Sequence, residues 1–97
     1  MLTGKQRSYL RSLANNLQPI FQVGKGGIND NMVKQFADAL EARELIKATV
    51  LRNAETDTKL VCEELAELTG AQIVQVIGSK FVLYKKSEKN PVIELPR

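Results

Sequence analysis

Ile20-Phe21-Gln22-Val23-Gly24-Lys25-Gly26-Gly27-Ile28-Asn29-Asp30 is the stretch on which the fold turns. Ile20–Val23 is mostly apolar and suits a short strand. Gly24–Gly27 is a glycine-rich turn around one lysine. Asn29 can then accept a first-turn N–H, and Asp30 sets a carboxylate at the positive end of a helix dipole. Strand, turn and helix open a β-α-β unit, and the same arrangement can hold a phosphate group. Glycines admit close backbone contact where a Cβ would intrude. The helix start aims N–H groups and dipole at the same spot.

Upstream, Thr3-Gly4-Lys5-Gln6 fits a capping box. Leu10, Leu13, Ala14 and Leu17 then recur at helical spacing, leaving Lys5, Arg7, Ser8, Arg11 and Ser12 on the outer surface. Pro19 ends that helix. Downstream, Val33, Phe36, Ala37 and Leu40 form a second buried stripe, with Lys34, Gln35, Asp38 and Glu41 outward. Leu45–Leu51 alternates as a strand, Asn53–Thr56 is a polar loop, and a third helix runs from Asp57 or Thr58 to Gly70. Val61, Leu65 and Leu68 are expected inside it and its glutamates outside. Gln72–Ile77 and Phe81–Lys85 read as a hairpin about Gly78-Ser79-Lys80.

The expected fold class is α/β, in the α+β two-layer sense. An N-terminal helix is followed by β-α-β-α-β-β around a small mixed four-stranded sheet, and right-handed crossovers put both later helices on one face. Residues 1–86 form the domain. Residues 87–97 are a polar tail whose Pro91–Pro96 part can lie extended along the body.

A chain of 97 residues is one domain with room for a single core. Its longest apolar runs are only a few residues, so no membrane span is expected. The N-terminus is polar rather than a signal sequence. A lone Cys62 cannot form an internal disulfide, and a cytoplasmic monomer is expected. Net charge is +3, unevenly spread. Residues 1–52 carry eight basic and four acidic residues, residues 53–70 one and five, residues 71–97 five and two. A positive side suited to a polyanion follows.

With no histidine, the commonest general base and metal ligand is missing. Cys62, followed by Glu63 and Glu64, is a poor thiolate and reads as a core or boundary residue. Glu63, Glu64 and Glu67 read as a solvated helical face, not a cation site. No catalytic residue, metal or cofactor is expected. The glycine turn fails the P-loop pattern, and Asn29 stands where a dinucleotide fingerprint needs Gly or Ala. What remains is a Gly-x-x-Gly turn opening a helix, the element by which KH modules clamp an RNA backbone; it also serves as a plain strand-to-helix connection. No strand shows the paired aromatics of an RRM.

Leu2-Thr3-Gly4-Lys5-Gln6-Arg7, Val23-Gly24-Lys25-Gly26-Gly27, Leu40-Glu41-Ala42-Arg43-Glu44-Leu45-Ile46-Lys47 and Leu83-Tyr84 together resemble the CRM domain, most nearly its stand-alone bacterial YhbY-like form. The resemblance implies an architecture related to the C-terminal domain of a bacterial translation initiation factor. It also implies RNA binding through the GxxG loop and adjacent basic surface. Bacterial members associate with precursors of the large ribosomal subunit, and plant relatives act in organellar intron splicing. Lys85 stands where members often carry arginine, and Asn29 where Thr or Ser is expected.

The expected function is therefore non-catalytic RNA binding in ribosome assembly, with ribosomal RNA, and secondarily ribosomal proteins, as partners. Gly24, Lys25, Gly26 and Gly27 hold the backbone; Lys5, Arg7, Arg11, Lys34, Lys47 and Lys80 extend the positive surface. Lys47, turned away from Ile46, faces either RNA or solvent, and Arg43 can pair locally with Glu44. The rival is a protein-interaction module that docks a basic ribosomal protein on the acidic third helix.

Overall fold

The computed structural model describes residues 2–24, 26–51 and 57–97. The elements follow as α1 (Gly4–Ala14), β1 (Phe21–Val23), α2 (Asp30–Arg43), β2 (Leu45–Val50), α3 (Thr58–Thr69), β3 (Gln72–Ile77) and β4 (Lys80–Tyr84). Lys25 and the Asn53–Thr56 loop lie outside the described residues. Local chemistry sets most boundaries. Thr3 Oγ1 accepts the Gln6 N–H while Gln6 Oε1 accepts the Thr3 N–H, completing the capping box. Asn29 and Asp57 cap α2 and α3 by accepting from the Met32 and Leu60 amides. Gly70, at φ 75°, stops α3 in the left-handed region. Gly78 (φ 58°) and Ser79 join β3 to β4, with positive φ on the first residue only, as a type II′ turn requires.

The sheet order is β1-β2-β4-β3; β1 and β2 are parallel and the other pairings antiparallel. The last strand in the chain thus occupies a central position. α2 and α3 cover one face, burying Val23, Phe36, Leu40, Ile46, Val61, Leu65, Phe81 and Leu83 among others. Phe36 stacks between Phe21 and Phe81, with ring centroids 4.4 Å and 6.3 Å away. Burying a ring of this size contributes about 1.5–3 kcal/mol, and this one ties the short β1 to both α2 and β4. On the other face α1 sets Leu10 and Ala14 against Leu45, Val74, Val82 and Tyr84, joined by Ile93 and Leu95 of the tail. The frame of sheet and two helices is therefore covered in part on its second face.

Three side-chain expectations are corrected, at Leu68, Glu44 and Glu41. Leu68 is not inside α3: it is 53% exposed, and the inner face is Val61, Cys62, Leu65, Ala66 and Thr69. The small Cys62 and Ala66 let α3 lie close to the core, and turning them inward carries Leu68 out. Glu44 does not turn to Arg43. It is fully buried, with φ 66°, at a junction where α2 passes into β2 without a loop. Its Oε1 accepts the N–H groups of Val92 and Ile93 and its Oε2 that of Ser87, each at 2.8 Å.

Burial disfavours that charge, but the three N–H donors and the nearby Lys86 outweigh it and hold the Glu44 carboxyl below its usual 4.5. Glu41, expected to look outward, instead accepts from the Ser87 hydroxyl and from the Glu88 and Lys89 amides. Gln6 Nε2 donates to the Pro96 carbonyl at 3.1 Å. Residues 87–97 are laid against the body by these bonds.

Candidate nucleic-acid interface

β1 is pinned at both ends before it releases the glycine turn. Ile20 N–H donates to the Lys47 carbonyl at 2.9 Å and Leu51 N–H to the Val23 carbonyl at 2.8 Å. Gly27 N–H then donates to the Gly24 carbonyl at 3.0 Å, closing the turn. Gly27 has φ 67°, which only glycine adopts freely. Gly26 differs: it is exposed, and among the described residues a Cβ there would meet nothing within 4 Å. Packing against the described residues does not ask for glycine at 26. The α2 N-terminus is partly neutralised from within, because Asn29 takes the Met32 amide and Asp30 adds a carboxylate. Attraction for an anion here rests on the turn and its neighbouring cations more than on the dipole.

Most of those cations lie on the sheet face shared with α1. Strand alternation turns Leu45, Lys47 and Thr49 to that side, together with Tyr84, Val82 and Lys80. The pairing aligns Gln22, Thr49, Lys80 and Ile77 in one row from β1 across to β3. The glycine turn and the Gly78-Ser79 turn rise at the same end of the sheet, since β4 starts where β2 ends and Val50 N–H donates to the Ser79 carbonyl at 2.7 Å. A groove of about 430 Å³ opens beside this row, between Asn15 at the end of α1 and a lining that includes Lys47, Gln75, Lys80 and Val82.

Arg7 and Arg11 precede Asn15 at intervals of four, so they form a stripe along α1 leading to the groove. Lys5 is exposed on a different side of that helix. Lys34 is exposed on α2, which covers the face of the sheet opposite Lys47 and Lys80. Lys25 lies outside the described residues. Sequence reasoning missed Asn15, Gln22, Thr49 and Gln75. The register shift between Ile73 and Gln75 turns Val74 and Gln75 to the same face. The only trace of it in the sequence is Gln75 interrupting an otherwise apolar Ile73–Ile77.

Cys62 is buried on the other side of the sheet, and burial with the adjacent Glu63 pushes its thiol up to about 12. Lys85 Nζ donates to the Thr69 carbonyl at 3.1 Å, capping the end of α3. Among the described residues no group of three His, Cys, Asp or Glu could hold a metal ion, and no helix is long and apolar enough to cross a membrane.

Relatives agree in fold and extent. The profile of the CRS1/YhbY (CRM) domain matches residues 2–85. The chain is 62% identical over 96 residues to "Probable RNA-binding protein YqeI" of Bacillus subtilis, covering 99% of this chain and all of that one. It is 37% identical over 97 residues to an "RNA-binding protein" of Haemophilus influenzae, covering 99% and 96% of the two chains. The solution structure of SAV1595 from Staphylococcus aureus superposes with a TM-score of 0.81 at 60% identity, covering 99% of this chain and 100% of that one. With its matched profile, its end-to-end relatives and the shared three-helix, four-stranded architecture, the chain belongs to the CRS1/YhbY (CRM) domain family.

Proposed function

We propose that this protein binds RNA without turning it over, holding the sugar-phosphate backbone at Gly24–Gly27 and along Lys47, Lys80, Arg7 and Arg11. Lys5, Lys25 and Lys34 extend the positive field. Gly26 carries this reading: a glycine against which no described residue packs stands in the turn, at the same end of the sheet as the lysine-bearing row. The RNA-binding names of the Bacillus and Haemophilus relatives support it. The proposed RNA is ribosomal, within cytoplasmic precursors of the large subunit; that part rests on the CRM resemblance.

If three or four phosphates of a single strand are contacted, log K falls against log salt with a slope of roughly −2 to −3. A flat response overturns the proposal. Replacing Lys25 and Gly26 together by Asp is expected to abolish binding with the fold intact, and crosslinks in assembling particles are expected on large-subunit RNA.

One observation favours a second reading. Leu60 and Leu68 are 55% and 53% exposed on the same outer side of α3 as Glu63, Glu64 and Glu67. Such a face suits a basic, partly apolar protein segment. If Glu63→Lys with Glu67→Lys removes association with precursor particles while the turn variant does not, docking through α3 is the working contact.

A further inference from the structure

The groove at the β3–β4 turn has a composition that phosphate binding alone does not require. Its 430 Å³ is within the usual range of small-ligand sites. Two amide side chains, Asn15 and Gln75, line it together with the lysines Lys47 and Lys80. Val82, buried, contributes an apolar part of the lining, and Ile77, 62% exposed, an apolar wall. Among the described residues no acidic side chain lines it. A bare anion would gain nothing from the apolar surface, and an aliphatic ligand nothing from the amides. A planar group with polar edges, attached to an anion, uses all of them.

Gln75 joins this lining because of the irregularity in β3. Regular alternation from Val74 would have sent it to the helix-covered face, and the extra residue keeps it on the groove side. The Gln22–Thr49–Lys80–Ile77 row leads straight from the strand that ends in the glycine turn to the groove, a distance of about 10 Å between β1 and β4 at ordinary strand spacing. A single strand held by its phosphates at Gly24–Gly27 can follow that row and lower one base into the groove.

We propose that this groove is a nucleobase subsite that reads one unstacked base of single-stranded RNA, with Asn15 and Gln75 bonding its polar edge and Lys47 and Lys80 at its carbonyl oxygen and adjoining phosphate. It rests on the RNA-binding reading above and adds base selectivity to it. Ammonium groups donate only, while amides both donate and accept, so the lining carries an excess of donors. At pyrimidine position 4 or purine position 6 it favours the oxygen of uracil and guanine over the amino group of cytosine and adenine.

The test compares an eight-nucleotide oligouridine, an oligocytidine of the same length and an abasic strand, by anisotropy with the full chain. Oligouridine is expected to bind at least about five-fold more tightly than oligocytidine, the lower end of what one well-formed base contact discriminates. In Asn15→Ala with Gln75→Ala that ratio falls to near one, while affinity for the abasic strand stays unchanged. In labelled wild-type protein the side-chain NH₂ signals of Asn15 and Gln75 shift with oligouridine and stay still with the abasic strand.

Equal affinity for the two oligonucleotides, or a ratio that survives the double variant, overturns the subsite and leaves the RNA-binding reading standing. Gly26→Asp reports on that reading separately: if it leaves abasic binding intact, backbone capture at the turn is wrong. Failure of the wild-type chain to bind any strand overturns both.

Discussion

Replacing Glu44 by Gln changes one oxygen to an NH₂ group in the place where the tail is tied to the body. The Oε1 side can still accept from Val92 and Ile93, but the new NH₂ confronts the Ser87 N–H, donor against donor. A hydrogen bond to a charged group contributes about 1.5–3 kcal/mol, so losing one costs about 2 kcal/mol. The loss is bounded, because residues 87–97 can lift away and hydrate their own amides. For a domain of this size 2 kcal/mol lowers Tm by roughly 8–16 °C.

The pH dependence has a definite sign. The folded Glu44 carboxyl sits below its usual 4.5, so its stabilisation is fully present above that value and is lost as pH falls through the folded value. The gap between wild type and variant should therefore be widest near neutrality and close in acid. Thermal melts at several pH values, with hydrogen exchange at Ser87, Val92 and Ile93, measure both effects. An unchanged Tm together with unchanged exchange at those three amides would refute the role given to this carboxylate.

The last two glycines of the turn should respond differently to alanine. Gly27→Ala forces a Cβ into φ 67° and should cost about 1 kcal/mol or more in denaturant unfolding. Gly26→Ala should leave stability unchanged to within about 0.5 kcal/mol. Phe36→Ala empties the centre of the aromatic stack and should cost about 3–5 kcal/mol, read from the shift in urea midpoint. Cys62, with its thiol pushed up to about 12, should resist a thiol reagent at neutral pH in the native protein and react fully once unfolded.

What the sequence disclosed is what neighbours within a few residues determine. Thr3 with Gln6, Asn29, Asp57, Gly70 and Gly78 each act on their own turn or cap, so element order and most boundaries could be read directly. The glycine turn and its helix were legible for the same reason. Glu44 was not, because its partners lie 43 to 49 residues further along the chain and nothing near it announces them. Leu68 fits the apolar spacing of α3 equally well facing in or out, and only the small Cys62 and Ala66 settle which way the helix turns. The groove escaped notice because it is assembled from α1, β2, β3 and β4, with Gln75 redirected by a shift in pairing that alternation cannot foresee.

The place of β4 in the sheet has a consequence for how the protein is made. All strand pairing between the β1–β2 half and β3 runs through Lys80–Tyr84. While a nascent chain lacks these residues, one side of β2 is an open template and the two halves have no common ladder. Maturation therefore depends on contacts distant in sequence, which raises contact order and slows folding relative to a helical bundle of equal length. A ribosome must deliver the chain through Tyr84 before its glycine turn acquires a fixed orientation toward the opposite edge.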